Sequence, residues 1–143
     1  MTLVDFVNKY IKEKVDFDGV YGCQCVDLFR QYCKDVLEIK GHTGSVNGAK
    51  ELFTKYETLK GEVCEKDYFL RLKYPIHNLF LAGDVAIWDS TSSNIYGHVA
   101  IILQDMENDV LVLEQDGFKQ DGVKLKIRPK ENLLGVLRKF TWN

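Results

Sequence analysis

The order of hydrophobic periods in this chain predicts an α+β domain whose N-terminal helices pack on one side of an antiparallel sheet of about five to six strands. Three observations carry that prediction. Apolar residues recur at helical spacing as far as Tyr56, the period changes to two after Gly83, and the links between the later runs are short and carry Asn, Asp, Ser or Gly. With 143 residues, 45% of them hydrophobic, 28% charged and only two proline, the chain has the size and composition of one globular domain, 1-143.

Leu3, Val4, Phe6, Val7, Tyr10 and Ile11 mark an amphipathic opening helix that ends near Lys14. An acidic loop from Asp16 to Gly22 follows. Val26, Phe29, Cys33, Val36 and Leu37 then form one face of a longer second helix, which Gly41 stops at the C′ position. After a loop from Gly44 to Gly48, Ala49, Leu52, Phe53 and Tyr56 suggest a third helix. From Glu57 to Ala82 the signals are mixed, and Pro75 excludes a continuous helix, so no element is assigned there. Strands are predicted from Asp84 to Trp88, His98 to Leu103, Val110 to Glu114, Val123 to Ile127 and Val136 to Phe140. In the fourth of these, Val123, Leu125 and Ile127 are expected to face the core, leaving Lys124, Lys126 and Arg128 on the solvent side as edge protection or for solubility.

Net charge is −2, from 19 basic and 21 acidic residues, and no basic cluster reaches the density that neutralising phosphates demands, so no nucleic-acid partner is expected. The first residues, MTLVDFVNKYIKEK, interrupt their apolar run with Asp5 and offer no small-residue cleavage site, so they do not read as a secretory signal. No segment approaches a membrane span, and no membrane partner is expected. Cys23, Cys25, Cys33 and Cys64 are expected as free thiols, because a chain with this much apolar content needs no covalent staples. Their spacing does not supply the four good ligands of a zinc site.

Cys25 opens the second helix. A thiol there lies close to unpaired backbone N–H groups and the positive end of the helix dipole, which favour thiolate over thiol and suit an oxyanion hole. Cys23 lies two residues earlier, before the helix mouth, and is the weaker candidate. A hairpin centred near Met106 makes paired residue numbers sum to about 212, which sets His98 opposite Glu114. A carboxylate beside imidazole fixes its tautomer and stabilises the imidazolium formed on taking a thiol proton. Asp116, two residues beyond Glu114, shares its face if the strand continues, and is a candidate fourth, orienting group. Each residue also has an ordinary structural reading: Cys25 as a buried small hydrophobe, His98 as a hydrogen-bonded strand start, Glu114 as a solvated strand end. His42 and His77 lie in loop-like stretches without a comparable partner. Trp88 and Tyr96 could line the cleft or belong to the core.

Gln24-Cys25-Val26-Asp27-Leu28, Gly48-Ala49-Lys50, Gly83-Asp84-Val85-Ala86-Ile87-Trp88, Gly97-His98-Val99 and Leu113-Glu114-Gln115-Asp116 follow in the order of the CHAP domain, the cysteine, histidine-dependent amidohydrolase/peptidase module. The resemblance spans roughly Asp16 to Phe140 and is nearest to phage endolysins and tail-associated lysins. It implies a papain-like α+β fold and cleavage of an amide bond in bacterial peptidoglycan, by endopeptidase or N-acetylmuramoyl-L-alanine amidase action. Carried over by position, Cys25 is the nucleophile, His98 the general base and Glu114 the residue that orients His98. Many relatives have Asn where this chain has Asp116, and an acid there is expected to repel Glu114 or raise its pKa.

Within the acidic loop, Asp16, Asp18 and Asp27 occupy places one, three and twelve of a twelve-residue window, with the Val20 and Gly22 carbonyls at five and seven. Hard oxygens at that spacing suit Ca²⁺, and the resemblance extends to a calcium loop ahead of the cysteine in some CHAP endolysins. Tyr21 stands where an EF-hand has Gly, and a solvated turn is the second reading. No repeated aromatic β module follows the CHAP-like region, so the chain is expected to be a minimal lysin, a catalytic domain of a longer protein, or one subunit whose partner is a separate wall-binding domain or subunit, acting at the bacterial wall after release at lysis or carriage on a virion. The resemblance gives the run Lys124, Lys126, Arg128 a second reading, attraction to anionic wall polymers. Two other functions stay open: a catalytically silent wall-binding or structural module of a phage particle, and a thiol redox protein with a Cys23–Cys25 disulfide.

Overall fold

The computed structural model describes residues 1–140. Helix α1 (Leu3–Tyr10) is closed at its N-terminus by a reciprocal capping box: Thr2 Oγ1 accepts the Asp5 N–H at 3.1 Å, and Asp5 accepts the Thr2 N–H at 3.4 Å. It ends four residues earlier than its apolar pattern predicts. Lys12 turns left-handed, with φ 69°, and its N–H bonds to Val123 O at 2.8 Å, so the chain leaves the helix to join the sheet edge. Helix α2 (Cys25–Asp35) also stops early. Glu38 takes the left-handed conformation, and the Ile39 N–H returns to Cys33 O at 2.9 Å, so Gly41 is not the stop. Helix α3 is a single turn, Glu51–Thr54.

The strands are β1 (Phe69–Lys73), β2 (Val85–Trp88), β3 (His98–Met106), β4 (Asp109–Gln115), β5 (Val123–Pro129) and β6 (Leu133–Lys139). They form one sheet in the order β1-β6-β2-β3-β4-β5, antiparallel at every pairing. Strand β1 and a 3-10 turn at Glu65–Asp67 fall in the stretch that sequence left unassigned. Phe69 is fully buried, but β1 sits at the sheet edge with residues on both of its faces exposed, so it shows little period.

Alternation sends Val85, Ile87, Val99, Ile101, Leu113 and Leu137 to one side, against Phe6, Leu28, Phe29, Leu52 and Phe53 of the helices. Ala86, Trp88, Ala100, Ile102, Val110, Val112 and Val136 face the other side under Phe80, Leu72 and Tyr74. Both faces of the central strands are therefore covered, and β2 is buried at all four residues. The expectation for β5 is only partly met. Val123 is buried, but Leu125 and Ile127 are 51% and 56% exposed, because α2 packs over β3 and β4 and leaves the edge strand uncovered. Among the described residues no helix is long and apolar enough to cross a membrane.

Candidate active site

Cys25 is the first residue of α2, and Gln24, with extended backbone, is its N-cap. Asp27 closes the cap by accepting the Gln24 N–H at 2.9 Å. The helix mouth thus holds Cys25 where the leading N–H groups lack intrahelical acceptors. His98 is the first residue of β3, preceded by Gly97 at φ +76°, where a Cβ would meet the Trp88 carbonyl at 2.5 Å. Only glycine fits that approach, which gives Gly97-His98 a physical basis.

His98 Nε2 lies 3.3 Å from Glu114 Oε1. The pairing expected from the sequence is correct in partners and wrong in register. The hairpin turns at Glu107 and Asn108, with Met106 opposite Asp109, and a bulge at Leu103 changes the register from a sum of 215 to 214. Glu114 therefore contacts His98 diagonally, from beyond the end of the β3–β4 ladder. The bulge is decisive for the face: without it Glu114 would stand opposite Ile101, and His98 would point to the other side of the sheet, into the helix-side core.

Glu114 is fully buried and receives a second partner that the sequence pattern did not reveal. Arg128 grips it as a fork, Nη2 to Oε2 at 2.8 Å and Nε to Oε1, with its guanidinium 5.9 Å from the Trp88 ring centroid. The expectation that Arg128 is a solvent-side charge is thus overturned. A two-residue period correctly puts it on the face of Lys124 and Lys126, but it cannot show that the side chain reaches back along that face, from opposite Val110 to Glu114. Burial alone would raise the Glu114 pKa; the hydrogen bonds and charges of Arg128 and His98 outweigh it and hold the pKa at about 2. The expected rise from Asp116 does not occur. Burial would lower the His98 pKa, but hydrogen bonding and charge from Cys25 and Glu114 raise it to about 9. With Nε2 turned to Glu114, Nδ1 is left for the Cys25 thiol.

The other thiols are placed differently. Cys23 is buried and its Sγ lies 3.2 Å from Gln120 Oε1. Cys33 is buried, and burial first, then Glu65, push its pKa far up. All four cysteines are free. Asp116 lies just past the end of β4, and its Oδ1 accepts the Phe118 N–H at 2.8 Å, so it caps a turn on the cleft rim. Trp88 is 7% exposed and backs His98 at 5.9 Å between ring centroids, so it is core rather than cleft wall. Tyr96 does line the cleft, beside Phe118 at 6.5 Å. The cleft has a volume of about 520 Å³ and brings together Cys25, His98, Asn94, Tyr96, Asp116 and Phe118. His77 is exposed, and His42 stacks near Phe17 at 4.9 Å, outside this cleft.

The acidic residues Asp16, Asp18 and Asp27 each offer a carboxylate oxygen, all within 4.8 Å of one another. Asp27 is raised to about 6, by burial first and then by Asp18 and Asp16, against the Gln24 hydrogen bond and Arg30. That crowding of acids is what a dication relieves, and the donors are hard oxygens, so the residues fit Ca²⁺. Tyr21 has φ 62°, the left-handed conformation that a glycine takes at the sixth place of a calcium loop.

A thiol at a helix mouth facing a carboxylate-held imidazole across a cleft defines a cysteine–histidine site on an α+β scaffold. The chain belongs to the CHAP domain family, whose model matches residues 14–116. It is 35% identical over 115 residues to endolysin PlyTW of Staphylococcus phage Twort (strain DSM 17442 / HER 48), covering 75% of this chain and 22% of that protein. Among solved structures, it resembles the wild type endolysin LysIME-EF1 with a TM-score of 0.66 and 21% identity, covering 96% of this chain and 64% of the other. It also resembles Ly7917, with a TM-score of 0.64 and 15% identity, covering 95% of this chain and 60% of the other. The chain thus spans about a fifth of the curated relative's length and under two thirds of either structure.

Proposed function

We propose that this domain is a peptidoglycan hydrolase that cleaves an amide bond of the bacterial cell wall by acyl transfer through Cys25. The observation that carries this is the meeting of Cys25, at the start of α2, with the buried His98–Glu114 pair inside one cleft. Membership of the CHAP family and similarity to an endolysin support the choice of substrate.

In this mechanism the proton of Cys25 Sγ rests on His98, and the sulfur attacks the amide carbonyl carbon. The leading N–H groups of α2 stabilise the oxyanion. The C–N bond breaks as His98 returns the proton to the leaving amine, and a thioester remains on Cys25. Water then attacks the thioester while His98 takes its proton, releasing a carboxylic acid and the thiol. Glu114 stays ionised throughout, holding the ring by Nε2–H and stabilising the imidazolium, and Arg128 keeps Glu114 from taking the proton itself. Asp16, Asp18 and Asp27 would hold Ca²⁺ with the carbonyls of Val20 and Gly22. The ion would offset three negative charges near Cys25 and order the loop that leads into α2. A separate wall-binding domain or subunit and action after lysis or from a virion complete the proposal.

Cys25→Ala tests it. The variant should keep the wild-type circular dichroism spectrum and lose at least about 10³-fold in solubilisation of purified cell walls. Undiminished lysis by the folded variant would leave only a binding or structural role. Mass spectrometry of the released muropeptides separates the two bond types, a new muramic acid lactyl end from an amidase or a new peptide end from an endopeptidase.

A further inference from the structure

Adjacent residues of β4 address opposite faces of the sheet. Glu114 turns to His98. Gln115 turns the other way, into the helix layer, and is fully buried. Its Oε1 accepts the Val15 N–H at 2.8 Å, and its Nε2 donates to Val15 O at 2.7 Å and to Gln24 O at 2.8 Å. One N–H and two carbonyls around the amide fit a single orientation of the side chain, so all three bonds hold together. Val15 and Gln24 flank the acidic loop, and Gln24 is covalently joined to Cys25. Between them the chain forms neither helix nor strand.

We propose that Gln115 is a positioning residue, pinning the mouth of α2 to the strand that carries Glu114 and so setting where Cys25 stands relative to His98. One strand then fixes both partners of the proton transfer, the imidazole through Glu114 and the thiol through Gln115. Strand β4 suits that task because it is hydrogen-bonded on both sides, to β3 and to β5. Gln120 adds a second tie to the same loop. Its Oε1 accepts the Cys23 N–H at 2.9 Å, and its Nε2 donates to Cys23 O at 3.1 Å and Gly117 O at 2.6 Å. Gln120 lies outside the strands, so its hold on the loop is the softer of the two.

The role rests on Cys25 as nucleophile, and the test separates the two. Gln115→Met keeps the length of the side chain and removes all three bonds. Gln115→Glu keeps an acceptor for the Val15 N–H and loses both donated bonds. The full chain carrying either change is assayed at one calcium concentration, at a temperature where circular dichroism shows it folded, on soluble fragments released from purified walls by a muramidase. Both variants should lose about 100-fold in kcat, the scale of a misplaced reacting group. KM should stay within about threefold. Alkylation of Cys25 by iodoacetamide, located by tandem mass spectrometry, should slow in parallel. A folded Gln115→Met protein with kcat within about threefold of wild type, or with its whole defect in KM, would overturn the positioning role. If Cys25→Ala is inactive while Gln115→Met is unaffected, only this inference fails; if Cys25→Ala remains active, the nucleophile assignment fails first.

Discussion

Glu114 has no exposure, yet its carboxylate is ionised because Arg128 and His98 share it. The two partners do different work. Arg128 is permanently charged and planar, so it fixes the position of the carboxylate and leaves an edge for His98 Nε2. Removing one partner of a buried ion pair leaves a charge without its counterpart. Arg128→Ala should therefore lower the unfolding free energy by about 3 kcal/mol in urea titrations. Activity should fall about 100-fold in kcat as His98 loses its orientation. Arg128→Lys should recover stability better than rate, since it restores the charge but not the fork; equal recovery of both would argue that only the charge matters. The leaving amine must be protonated by His98, whose pKa is about 9. Activity should hold across neutral pH and decline as pH rises through about 9. A decline centred near the ordinary histidine value would show that Cys25 and Glu114 do not stabilise the imidazolium.

At the scale of elements, the site depends on two local devices. One is the bulge at Leu103, a single extra residue in β3 that brings His98 to the face of Glu114. The other is the join of the acidic loop to α2, in which Asp27 both caps the helix and crowds Asp16 and Asp18. If calcium occupies this cluster, it stabilises the fold by mass action, by about 2.7 kcal/mol at a free concentration 100 times its dissociation constant. Chelation should accordingly lower both the thermal midpoint and the rate of wall solubilisation, and added Ca²⁺ should restore both. Identical midpoints with excess chelator and with Ca²⁺ would remove calcium from the proposal.

For the whole molecule, four buried ionisable groups govern how stability varies with pH between 2 and 9. Of these Asp27, raised from 3.8 to about 6, makes a contribution that is complete below 3.8 and is lost as pH rises through 6. Glu114 is depressed from 4.5 to about 2, so its contribution is complete above 4.5 and is lost as pH falls through 2. His98 is raised from 6.5 to about 9; its contribution is complete below 6.5 and is lost as pH rises through 9. Glu65 is fully buried, with neither oxygen meeting a donor among the described residues, and burial raises it from 4.5 to about 8. The folded state thus keeps a proton that the unfolded chain gives up, and stability declines as pH rises from 4.5 to 8. Urea midpoints should therefore be highest near pH 5 and fall steadily towards pH 9. A midpoint that stays level from pH 5 to 9 would contradict these assignments.

The strands from Val85 onward were legible because β2, β3 and β4, covered on both faces, read as short apolar runs bounded by turn residues, while the edge strand β5 alternates. The α1 and α2 starts were legible because the apolar face and the first-turn acid are local. Strand β1 was not, since an edge strand with exposed residues on both faces carries almost no period. Both helix ends were misplaced for a related reason: Lys12 and Glu38 turn left-handed where the chain meets the sheet edge or folds back on the helix, a contact that local sequence does not encode.

Of the site, the sequence by itself determined Cys25 at a helix mouth, His98 at a strand start, Glu114 in the following strand and the acids Asp16, Asp18 and Asp27. Each follows from short-range spacing. Tertiary structure alone decided that a bulge brings His98 to the face of Glu114, that Arg128 crosses from β5 to hold Glu114, and that Gln115 reaches back 100 residues to Val15 and 91 to Gln24. Those contacts join segments far apart in the chain, and periodicity reports which way a side chain faces, not what stands opposite it.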